Sequence, residues 1–86
     1  MTQLIVPRPE LELFHRLAEP ESAAARVLVR DLGRLDEIRF RNVAFESHAA
    51  ALAALGGSRT PALWDGERLH EGLATIRAVL AALPES

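Results

Sequence analysis

The chain has 86 residues, 49% hydrophobic and 26% charged, enough for one compact domain with a single core and too few for two. Its net charge of −2 gives no bulk electrostatic support for holding a phosphate backbone, so nucleic acid is not an expected partner. It contains no cysteine, which removes disulfides, thiolate metal sites and thiol catalysis together.

The opening stretch MTQLIVPRPE has no early positive charge, and Pro7 ends its apolar segment almost at once, so no secretory signal is expected and the default compartment is the cytoplasm. Residues 1–9 read as an N-terminal extension and 10–86 as the domain. Within the extension, Leu4, Ile5 and Val6 suit either self-association or a frayed tail. The longest apolar run, from Ala49 to Leu55, is far below the roughly 18 residues that cross a bilayer, so no membrane partner is expected.

In chain order, ELELFHRL places Leu11, Leu13, Phe14 and Leu17 in a mixed alternating and continuous pattern, which predicts a strand at about 11–15 buried on both sides. Pro20 fits the first position of a helix, with Glu19 before it as the cap and Glu21 adding acid to the first turn. Ala24, Val27, Leu28 and Leu32 then recur at helical spacing up to a stop near Gly33. In DEIRFRNVAF, Ile38 and Phe40 alternate with Arg39 and Arg41, the pattern of a strand at a sheet edge guarded by charge. ESHAAALAALGG predicts a second helix capped by Ser47, with Ala51, Leu52 and Leu55 as its buried stripe and Gly56 as its end. ALWDGERL reads as two short strands turning at Asp65-Gly66. A last helix puts Leu73, Ile76, Leu80 and Leu83 on one face, with Pro84 as its stop. The order is therefore βαβ, a linking helix, then ββα: an α/β fold with a four-stranded mixed sheet flanked by three helices.

Few residues offer chemistry by themselves. Arg26, Arg30 and Arg34 fall at i, i+4 and i+8, a basic stripe whose default reading is a solvated helix face. His15, His48 and His70 fit no metal-ligand spacing. Ser22 as a nucleophile needs an adjacent base held by an orienting group, and no histidine is spaced to supply one. Trp64, the sole tryptophan, falls in the third strand as a core residue or an interface residue.

This order, with two local marks, resembles the thioredoxin fold in its small glutaredoxin form. The first mark is EPES: glutaredoxins carry Cys-Pro-x-Cys at that helix start, and here Glu19 and Ser22 stand at the cysteine positions with Pro20 kept. The second is Thr60-Pro61 ahead of the third strand, matching the proline that is cis throughout that superfamily. LHEGLATI is also similar to the stretch in which the N-terminal domain of glutathione transferases holds the γ-glutamyl group of glutathione; Glu71 matches the acidic residue and Gly72 replaces the serine.

The resemblance implies a contact region at one end of the sheet made of Glu19, Pro20, Ser22, Arg59, Thr60, Pro61, Glu71 and Gly72. Thiol–disulfide exchange needs a thiolate, which neither Glu19 nor Ser22 supplies. The Glu19 carboxylate is expected to satisfy the helix end itself, filling the place of an external anion. The expected function is thus a redox-inactive, cysteine-free glutaredoxin-like binding or protein-interaction module that takes a protein or extended-peptide partner, with no catalytic residue, metal or obligate cofactor. Two other readings stand beside it: a glutathione-dependent transferase-like or reductase-like activity using a partner's thiol, with glutathione as ligand, and a structural homodimer.

Overall fold

The computed structural model describes residues 11–83; the extension 1–9 and the stop at Pro84 lie outside the described residues. The elements are β1 (Leu11–His15), α1 (Pro20–Asp31), β2 (Ile38–Asn42), α2 (Glu46–Ala54), β3 (Ala62–Trp64), β4 (Leu69–Glu71) and α3 (Leu73–Ala82). They build a four-stranded mixed sheet in the order β2-β1-β3-β4. β1 and β2 run parallel, with Leu13 opposite Phe40, while β3 is antiparallel to both β1 and β4, with Phe14 opposite Ala62 and Ala62 opposite Glu71. Among the described residues, no helix is long and apolar enough to cross a membrane.

Two apolar clusters divide along the pleat of β1, because successive strand residues point to opposite faces. Leu11 and Leu13 join Ala25 and Val29 of α1, Ile38, Leu63, and Ile76 and Leu80 of α3 on one face. Phe14 points the other way and joins Val43, Leu52 of α2 and Ala62, with Trp64, Leu69 and Leu55 half-buried around them. Helices thus cover both faces, and β1, in the middle, is apolar on each. Trp64 is a half-buried flank of the second cluster.

The helix ends are chemically legible. Gly33, at φ 70°, closes α1 with paired bonds from the Gly33 N–H to the Arg30 carbonyl and from the Arg34 N–H to the Val29 carbonyl. Gly56, at φ 84°, closes α2 in the same way through Ala53 and Leu52. This double closure suits glycine because it needs a left-handed residue just past the helix.

Several sequence expectations are corrected. The buried line of α1 is Ser22, Ala25 and Val29, whereas Val27 and Leu32 are 43% and 45% exposed. The small Ser22 and Ala25 let the helix lie close on the sheet, and the Ser22 hydroxyl is anchored on its sheet side. α2 begins at Glu46 after Phe45, so Ser47 is an exposed first-turn residue and not the cap. Of its predicted stripe only Leu52 is buried, with Ala51 and Leu55 half-buried.

The hairpin turns at Gly66-Glu67, one residue later than Asp65-Gly66, because Asp65 and Arg68 pair as its flanks through the Asp65 N–H and the Arg68 carbonyl. Gly66, at φ 99°, holds the first central position, where a primed turn favours glycine. The basic stripe of α1 also dissolves. Arg30 pairs with Asp31, Arg34 is buried against Glu37 and the Leu83 carbonyl, and Arg26 bends back over the loop after β1. β2 is an edge strand, with Arg39 exposed and Arg41 paired to Glu12 at 2.5 Å and 5.3 Å above the Phe14 ring.

Candidate functional site

β1 and β2 are parallel, so their C-terminal ends open at the same edge of the sheet, where loops gather in open α/β folds. The antiparallel pairing of β3 brings its start to that edge as well, since Ala62 lies opposite Phe14 and only His15 follows Phe14 in β1. The end of β4 arrives there through the pairing of Glu71 with Ala62. The start of α1, the bend before β3 and the end of β4 therefore share one place.

At its centre is the Glu19 carboxylate. One oxygen, Oε1, accepts from the Ser22 hydroxyl at 2.5 Å and from the Thr60 hydroxyl at 2.8 Å. Ser22, fully buried, in turn accepts the Arg16 N–H at 3.1 Å. Partial burial works to raise the Glu19 pKa, but the two hydroxyls and the nearby Arg16 charge outweigh it and hold the carboxyl below its ordinary value. Glu19 is thus an anion at neutral pH, fixed by neutral donors.

This geometry changes one expectation. Glu19 occupies the cap position in extended conformation, and its main-chain carbonyl takes the first helical bond from Ala23, but its side chain makes no capping bond. A glutamate is long enough to reach either the helix N–H groups or hydroxyls alongside, and here two hydroxyls take it. The expected filling of the helix end by the carboxylate does not occur.

The second carboxylate, Glu71, accepts the main-chain N–H groups of Ser58 and Arg59 at 3.1 and 2.9 Å through Oε2. It pins the loop just before the bend. Gly72, at φ 93°, donates its N–H to the Pro61 carbonyl at 2.9 Å, and the Thr60-Pro61 bond is cis. Pro61 is fully buried, Pro20 and Arg59 are exposed, and Thr60 is half-buried. Among the described residues, the main-chain N–H and C=O of Thr60 have no hydrogen-bond partner.

All eight residues singled out from the sequence therefore lie around this edge. Hydrogen bonds join Glu19, Ser22 and Thr60 into one group, and pair Arg59 with Glu71 and Gly72 with Pro61. Sequence reasoning missed Arg16 and Arg26. Arg26 donates to the Arg16 and Leu17 carbonyls, shaping the loop that leads to Glu19. Nothing in local spacing marks these contacts, because each spans a turn of the fold. The edge presents a fixed anion, hydroxyls already engaged, and a Thr60 backbone with no hydrogen-bond partner among the described residues. No protein-family model, curated protein or solved structure matches the chain.

Proposed function

We propose that the chain is a cysteine-free glutaredoxin-like module of the thioredoxin type, which binds a protein partner through an extended segment and performs no thiol exchange. The observation that carries this is the Thr60 backbone. Its donor and acceptor are unpartnered among the described residues, while the hydroxyl on Glu19 and the Glu71 clamp on Ser58 and Arg59 fix the residue from both sides. A pre-fixed backbone with both groups free suits strand addition, in which main-chain bonds give affinity at little ordering cost.

The strand order, with parallel β1 and β2 and an antiparallel hairpin, supports the thioredoxin-type reading. The absence of any thiol removes exchange from the chain's own chemistry. Glutathione binding draws less support, since the Glu71 oxygen Oε2 is already committed to the loop amides.

The test is a titration of 15N-labelled protein with a panel of blocked, β-prone tetrapeptides, and separately with millimolar glutathione. The module reading predicts peptide-induced amide shifts centred on Arg59, Thr60 and Gly72, with glutathione silent. Shifts from glutathione alone at those amides would replace it with the glutathione-dependent reading. No perturbation at this edge by any ligand would remove both.

A further inference from the structure

His15 ends β1 at a position that continues the Leu11 and Leu13 face, and it is only 5% exposed. Its ring Nδ1 lies 3.0 Å from Nη1 of Arg26. A guanidinium has donors only, so Nδ1 must accept and the ring proton sits on Nε2. The same Nη1 donates to the Arg16 carbonyl at 3.1 Å, and Nη2 reaches the Leu17 carbonyl at 3.4 Å. One arginine thus straps the turn after β1 to the first helix, and a neutral imidazole completes its bonding.

That strap controls a segment with few other ties. Arg16, Leu17 and Ala18 are exposed, and Leu17 is 67% exposed. The loop otherwise holds by the Arg16 N–H on Ser22 and by the 3.4 Å bond from the Glu19 N–H to the Arg16 carbonyl. We propose that His15 and Arg26 form a proton-sensitive latch on this loop, closed while the imidazole is neutral and released when Nδ1 takes up a proton from solvent.

The release follows from sterics and charge together. A protonated Nδ1 would set two N–H donors and two positive charges against each other in a buried place. The charged or titratable groups facing the ring are Arg26 from α1 and His48 from α2, both of which disfavour a proton on His15, while β2 contributes the Phe40 ring, its centroid 5.5 Å from that of the imidazole. His48 keeps its own Nδ1 on the Asn42 carbonyl. Among the described residues, no carboxylate is bonded to His15 that would neutralise it. Burial, then these two neighbours, hold its pKa below the ordinary 6.5. With a depressed pKa, the closed form is fully stable above pH 6.5 and loses ground as pH falls toward the value in the closed state. The latch stands whether or not the neighbouring edge takes a peptide.

Two NMR measurements on the full chain test it between pH 7.5 and 4.5. The His15 ring protons should titrate below 6.5, and over the same interval the protection factors of the Arg16 and Glu19 amides, the two bonded N–H groups of the loop, should fall by up to roughly tenfold per pH unit, with the β3 and α3 amides unchanged. In His15→Gln, whose amide oxygen accepts from Arg26 without titrating, this pH dependence should vanish. The latch is overturned if the wild-type loop amides keep their protection through the ring titration. It is equally overturned if the His15 ring titrates at or above 6.5, if all amides lose protection together, or if a folded His15→Gln retains the pH response. Should that variant not fold, the wild-type titration decides.

Discussion

The Thr60 hydroxyl donates to the Glu19 carboxylate over 2.8 Å, joining positions 41 residues apart in the chain. It ties the bend before β3 to the start of α1 and so holds the edge of the sheet in one piece. Thr60→Val keeps the branched shape and removes the donor. It should cost about 1–2 kcal/mol in urea unfolding, the range for a hydrogen bond to a charged group that is partly solvated. Thr60→Ser should recover most of that, and an unchanged midpoint in the valine variant would show the bond to be idle.

A Glu19→Cys, Ser22→Cys double variant tests whether this helix start keeps the geometry of a dithiol site. The two positions sit on one side of the first helical turn, where a separation of about 4.4–6.8 Å between Cα atoms permits a disulfide. Because the native chain has no cysteine, every thiol counted would belong to the pair. Mild oxidation should give a monomeric protein without free thiols, and reduction should return two. Disulfide-linked dimers with little internal bridging would contradict the placement.

Gly57 follows the close of α2, and a methyl group there would run into the side chains of Leu52 and Leu69. Its backbone is not left-handed, so the cost is packing alone. Gly57→Ala should destabilise by about 1–3 kcal/mol, as overpacking of a tight contact does, read as a lower midpoint at unchanged m-value. Gly33→Ala meets no neighbour but must hold φ 70°, so its loss should come from backbone strain instead.

Below about pH 4, acid should loosen the β3–β4 hairpin. Asp65 accepts His70 Nε2 at 2.8 Å and the amides of Arg68 and Glu67, which hold its pKa at about 2 against partial burial. A depressed carboxylate contributes stability that is present above its ordinary 3.8 and lost as pH falls toward the folded value. With the side chain 27% exposed, about 1 kcal/mol is expected, less than the whole shift would give. Asp65→Asn should flatten the stability profile between pH 4 and 2, measured by urea unfolding at each pH; a profile as steep as wild type would assign the loss to other carboxylates.

Much of the architecture was legible because it is written locally. β1 announced itself by apolar residues on both faces, and Gly33 and Gly56 marked helix ends that only a left-handed residue closes. The phase of α1 was not legible: Val27 and Leu32 outweigh Ser22 and Ala25 in hydrophobicity, yet the small residues are what allow the helix to approach the sheet. Arg34 read as part of a solvated stripe, but its partner carbonyl, Leu83, lies 49 positions away. The grouping of the Glu19 and Thr60 segments was suggested by resemblance to a known motif order. The direction of the Glu19 carboxylate could not be, since it depends on which hydroxyl the fold delivers beside it.

Everything proposed for this edge depends on Glu19 being held by Thr60 and Ser22, and the carboxyl itself reports that most directly. The side-chain 13C shift of Glu19, followed through an acid titration, should give a pKa below the ordinary 4.5 in the native chain and a higher one in Thr60→Val, because removing a donor weakens the anion. A native Glu19 that titrates at its ordinary value, or one that does not move when the Thr60 hydroxyl is gone, would contradict the account.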